Sequence, residues 1–147
     1  MYKDILLAVD LNHPETQEKA TRTATEYAKA FGSKLHVLTV VPDFGMSIVS
    51  SYFPEDFARK AEAEANAQLH AYVKEHVPDE VSVQHIVAYG SIYSEILEFA
   101  EKTGCDLIVL ASHRPELKDY LIGPNAARVM RHANCSVLIV RDEGSGP

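Results

Sequence analysis

Apolar positions along the chain follow two different spacings. Short, nearly continuous runs occur at Ile5 to Val9, Leu35 to Val41, Leu107 to Ala111 and Ser136 to Arg141. Runs of this length predict strands buried on both faces, as in a parallel sheet. Between them the apolar residues recur at helical intervals. Asn12-His13-Pro14-Glu15 opens a first helix with Pro14 in its first turn; Ala20, Ala24, Tyr27, Ala28 and Phe31 mark its inner face, and Gly32 stops it. Phe57, Ala61, Ala65, Leu69, Tyr72 and Val73 predict a second helix from Glu55 to about His76. Ser91 caps a third, with Ile92, Ile96, Leu97 and Ala100 inward and Gly104 after it. Asn125 to Ala133 predicts a short fourth helix. Val81 to Val87, between Pro78 and Gly90, alternates instead, with Val81, Val83 and Ile86-Val87 set against Ser82, Gln84 and His85. That pattern predicts a half-exposed or edge strand. Asp43 to Pro54 reads as a longer mixed loop.

The order is therefore strand and helix in strict alternation, beginning and ending on a strand. This predicts an α/β fold: an open, parallel, five-stranded sheet, doubly wound, with right-handed crossovers. No linker or internal repeat interrupts residues 1–141, which are expected to form one domain, with 142–147 as a frayed tail. Ligands of such sheets bind at the carboxyl ends of the strands, where the strand order reverses. In a 3-2-1-4-5 order the reversal lies between strands 1 and 4. It would bring Asp10 beside Ser112-His113-Arg114.

Composition narrows the partners. The chain has 147 residues, 46% apolar and 24% charged, enough for a folded core. A formal charge of −7, with no three consecutive Lys or Arg, argues against binding nucleic acid or an anionic membrane surface. Arg114, Lys118, Arg128 and Arg131 make the last third locally more basic, which leaves room for a small anion. No apolar run approaches the ~18 residues of a membrane span, and MYKDILLAVD lacks a cleavage-site pattern. Cys105 and Cys135 stand apart and read as reduced cytoplasmic thiols. The histidines show neither HxxxH nor HExxH spacing, and no metal site is expected.

The most informative chemistry is in Ala111 to Arg141. A strand end, a polar loop, Gly123-Pro124 and a helix start follow one another. Free N–H groups and the helix dipole favour an anion at such a terminus. Asp10 has two readings: it holds a ligand hydroxyl, or it caps the turn at Asn12. His113 donates to a phosphate or is a solvated loop residue. His36, inside the second strand, reads as a satisfied packing residue. Ser47, Ser50 and Ser51 lack a surrounding GxSxG, Glu62 and Glu64 belong to a solvated helix face, and no nucleophile–base pair stands out. Val137, Leu138, Ile139 and Val140 would form an apolar strand at the sheet edge, which needs a cover or a partner.

Four features together resemble the universal stress protein family. They are the strand ending in Val9-Asp10, the second strand LHVLTVVPD, Gly90-Ser91 opening the third helix, and the block CDLIVLASHR…LIGPNAARVMRHANCSVLIVR. The likeness runs from Met1 to Arg141, to a single-domain, UspA-like member, and the SHRP stretch is closest to the F- and G-type subgroup. It implies an adenine-nucleotide alpha-hydrolase-like fold, ATP or another adenine nucleotide as ligand with magnesium as a candidate companion, slow hydrolysis at most, and a role in stress response or signalling. It implies that Asp10 holds ribose and the Val40 backbone reads adenine. Val9, Leu110, Ala111, Ser112, His113, Arg114, Gly123, Pro124 and Asn125 would complete the site. It also implies a homodimer through the last strand. The ATP-binding members carry G-x2-G-x9-G-[ST]. Here Ala111 and Arg114 replace the first two glycines, Gly123 follows after only eight residues, and Pro124 replaces the hydroxyl residue. Arg114 offers a guanidinium in place of a close backbone approach, whereas Pro124 removes both an N–H and a hydroxyl. The alternative is an interaction module of the same fold that works through protein partners without a nucleotide.

Overall fold

A computed structural model describes residues 1–41, 56–112 and 124–141, without the side chains of 56–58. The predicted loop from Asp43 to Pro54 lies outside the described residues, as do His113, Arg114, Lys118, Gly123 and the tail 142–147. The strands are β1 (Asp4–Ala8), β2 (Lys34–Val41), β3 (Val83–Tyr89), β4 (Leu107–Ala111) and β5 (Ser136–Val140). They form one five-stranded sheet in the order β3-β2-β1-β4-β5, with every pairing parallel. The expected order and fold class are those of the molecule. The helices are α1 (Glu18–Phe31), α2 (Asp56–His76), α3 (Ile92–Thr103) and α4 (Pro124–His132).

Each strand buries both faces because helices cover both. On one face Ile5, Leu7, Leu35, Val37 and Val109 meet Ala20, Ala24 and Ala28 of α1 and Leu69, Tyr72 and Val73 of α2. On the other, Leu6, Leu38, Ile108 and Leu110 meet Ile96 and Ala100 of α3 and Ala126 and Val129 of α4. The small alanines of α1 let it lie close to the central strands. The Thr21 and Tyr72 hydroxyls, 2.7 Å apart, link α1 to α2. Gly32 and Gly104 end their helices in the left-handed conformation, φ 66° and 67°, as their places after α1 and α3 suggest. His36 is buried and satisfied: Nε2 lies 2.9 Å from Asp4 Oδ1 and Nδ1 2.5 Å from Gln84 Oε1.

Several expectations need correction. Pro14 opens a separate 3₁₀ turn, Pro14–Thr16, and α1 begins only at Glu18. The Pro ring sets φ for a helical start, but the turn hydrogen bonds, Thr16 N–H to His13 O and Gln17 N–H to Pro14 O, are the tighter kind. Ser91 occupies the N-cap of α3 without a side-chain capping bond. Phe31, the last residue of α1, is exposed and set edge-on against Tyr2 and Tyr27. Ile92 is also exposed, at the first turn of α3. Val81 is buried but precedes β3, its N–H bonding to Pro78 O at 3.1 Å. Within β3, Ile86 faces α3 whereas Val83 and Val87 face α2, so Ile86 and Val87 are not on one side.

Candidate functional site

β1 and β4 are neighbours at the centre of the sheet, but their crossovers run to opposite sides. The chain leaving β1 turns to α1, and the chain leaving β4 leads to α4. Their carboxyl ends therefore part, and a cavity of about 240 Å³ opens between them. Its floor is apolar: Ala8 from β1, Leu38 and Val40 from β2, Leu110 from β4, and Ile92 and Ile96 from α3. One wall, after β1, carries Asp10, Asn12, Thr16 and Gln17. The opposite wall is Ala111 and Ser112 at the end of β4 with Pro124, Asn125 and Ala126 at the head of α4. An apolar floor with a few convergent polar groups is the usual form of a small-molecule site.

Val9, Asp10, Val40, Leu110, Ala111, Ser112, Pro124 and Asn125, separated by more than a hundred positions, all line this one cavity. His113, Arg114 and Gly123 complete the expected set but lie outside the described residues. Sequence reasoning did not assign Ala8, Asn12, Thr16, Gln17, Leu38, Ile92, Ile96 or Ala126 to the site. Only Ile92 left a signal. A large apolar residue in the first turn after a glycine stands too near a strand end to belong wholly to the core.

The β1 wall is tightly bonded. Asp10 Oδ1 accepts the Asn12 N–H at 3.0 Å, and Oδ2 lies 3.2 Å from His13 Nδ1. The turn-capping reading of Asp10 is thus realised here. A carboxylate has about four acceptor positions, so it retains capacity for a ligand. The Asp10 side chain is half exposed. Thr16 Oγ1 donates to His13 O at 2.7 Å and accepts from Gln17 Nε2 at 2.7 Å. On the facing wall Ser112 is nearly buried, and its N–H bonds to Val140 O at 2.7 Å, which anchors the end of β4 to β5. The head of α4 carries no acidic residue in its first turn, while Arg131 and His132 occupy its last. Its positive end therefore faces the cavity with no acid in its own first turn to offset it. Arg128, 4.9 Å from the Tyr93 ring centroid, braces α4 against α3. Among the described residues no cluster of three or more His, Cys, Asp or Glu could hold a metal ion.

The comparisons agree with this architecture. A profile of the universal stress protein family matches residues 1–141. Universal stress protein G of Escherichia coli O157:H7 is 35% identical over 144 residues, covering 96% of this chain and 100% of its own length. The solved structure of MJ0577 of Methanocaldococcus jannaschii superposes with a TM-score of 0.76 at 29% identity, covering 96% of each chain. The universal stress protein of Archaeoglobus fulgidus, solved in complex with dAMP, shares the fold with a TM-score of 0.62 at 19% identity, over 95% of this chain and 98% of that one. With a family profile over nearly its whole length, a relative at 35% identity, and the fold and strand order just described, this chain belongs to the universal stress protein family.

Proposed function

We propose that this chain binds an adenine nucleotide in the cavity between β1 and β4, with little or no turnover, and acts as a cytoplasmic homodimer in stress response or signalling. One observation carries the reading: an apolar floor flanked on one side by Asp10 and on the other by the positive end of α4. A purine would lie over Val40, Leu38 and Ile92, a sugar beside Asp10, and phosphates toward Ser112 and Asn125. The family relationship supports it, and the related Archaeoglobus protein holds dAMP. Residues 1–141 would act as one unit. Magnesium would enter with the phosphates and with no dedicated protein ligands.

Calorimetric titration with ATP and magnesium should give one site per chain with a Kd on the order of micromolar. Nucleotide should also be released when protein purified from cells is denatured and extracted. Two observations favour the other reading, a nucleotide-free interaction module. Pro124 leaves the head of α4 without one N–H, and both Asp10 oxygens already have partners within the turn. No heat and no thermal shift at millimolar ATP would establish that reading instead.

A further inference from the structure

Gln17 is only 8% exposed, yet it sits in the wall of the cavity and belongs to neither core cluster. A buried carboxamide must place both its nitrogen and its oxygen. The direction of the Thr16 bond fixes which end points where. The Thr16 hydroxyl has one proton and donates it to His13 O at 2.7 Å. It can therefore only accept from Gln17, so the atom 2.7 Å away must be the NH₂ group. The opposite end, the carbonyl oxygen, has no partner among the described residues. It is not sealed either, since the Tyr89 hydroxyl is the one side-chain atom among them both sealed and unpartnered. The open space beside Gln17 is the cavity.

We propose that Gln17 reads a sugar hydroxyl of the bound nucleotide, and so sets a preference for the ribose over a deoxy sugar. This rests on the nucleotide reading above. The chemistry on this wall admits donors and repels anions. Asp10 supplies a carboxylate and Gln17 a carbonyl, and among the described residues lining this wall there is no Lys or Arg. Two acceptors lining the same cavity match the two hydroxyls of a ribose. Phosphates are directed to the other wall, where α4 presents its positive end. A site built to accept from a hydroxyl loses affinity for the analogue that lacks it, because its own acceptor is left unpaired.

The test is calorimetric titration with ATP, 2′-deoxy-ATP and 3′-deoxy-ATP. Wild-type protein should bind ATP about tenfold more tightly than at least one of the deoxy analogues. Gln17→Met keeps the volume and removes the acceptor. It should weaken ATP and leave the matching deoxy analogue unchanged, closing the gap to about twofold or less. Thr16→Val leaves Gln17 in place but frees its amide to turn, and should narrow the gap in part; it also serves if Gln17→Met does not fold. Equal wild-type affinity for all three ligands, or an undiminished gap in both variants, overturns the proposal while leaving nucleotide binding intact. Failure of wild-type protein to bind any of the three removes the nucleotide reading and this one with it.

Discussion

Two residues show how local chemistry decides what a recognisable position can do. Pro124 heads α4 and lines the cavity, where the ATP-binding pattern has a Ser or Thr. Proline suits a helix start sterically but supplies neither N–H nor hydroxyl. Pro124→Ser should restore both and tighten ATP by about 1 kcal/mol, read by the same calorimetry. Unchanged or weaker binding in a folded variant would mean that the shortened loop places phosphate elsewhere. Cys105 is the opposite case. Burial pushes its thiol up to about 11, opposed by the Thr103 hydroxyl 3.0 Å away. Burial raises Cys135 as well, with Asp106 adding to it. Both thiols are thus neutral and poor nucleophiles at neutral pH. Ellman's reagent should modify them slowly in the native protein and rapidly in guanidinium. A fast native reaction would show that this end of the sheet opens readily. The bland reading of both cysteines from the sequence needed only their isolation; their inertness needed the packing.

At the scale of elements, the buried strands were legible because each is a continuous apolar run that only a parallel sheet can hide on both faces. What the sequence left ambiguous falls at the ends of elements. Phe31 and Ile92 match the helical stripe by spacing, but spacing cannot say how much of a helix's first or last turn the core covers. The β1 wall was the least visible part of the site. Asn12, Thr16 and Gln17 owe their places to a 3₁₀ turn that has no periodicity to read. The spacing of edge strand β3 predicts alternation, with His85 on the polar side. In fact His85 lies under α2, its ring stacked on His70 with centroids 3.7 Å apart. Burial, and then the charge of His70, pull His85 below its ordinary value of 6.5. An unfolded chain therefore takes up a proton near that value that the folded one refuses. The α2–β3 contact is at full strength above the unfolded value and weakens as pH falls toward the folded one. Urea midpoints should drop as pH falls through the ordinary value of 6.5, and His70→Gln should flatten that part of the curve. An identical pH profile in His70→Gln would show that the stack carries no linkage.

For the whole molecule, assembly turns on which sheet edge meets another copy. The two edges differ. β3 carries Gln84 and His85 and is packed by α2 and α3, whereas β5 presents Val137, Leu138 and Ile139 half buried, with β4 on one side and no described strand on the other. An apolar strand whose outer backbone groups meet no described strand invites pairing. Two β5 strands set antiparallel about a two-fold axis would satisfy those groups and cover the side chains together. The chains each carry a formal charge of −7, but no ionisable side chain lies between Ser136 and Val140. Repulsion between distant like charges is screened by salt, while the apolar seam is not weakened by it. Sedimentation should therefore give a dimer with or without nucleotide, held equally or more firmly as salt rises. Leu138→Lys puts charge into the seam, and Ile139→Pro removes a backbone donor; both should give monomer or aggregate. A wild-type monomer at micromolar concentration, or a dimer that dissociates as salt is added, would exclude β5 pairing and leave its apolar face to another partner.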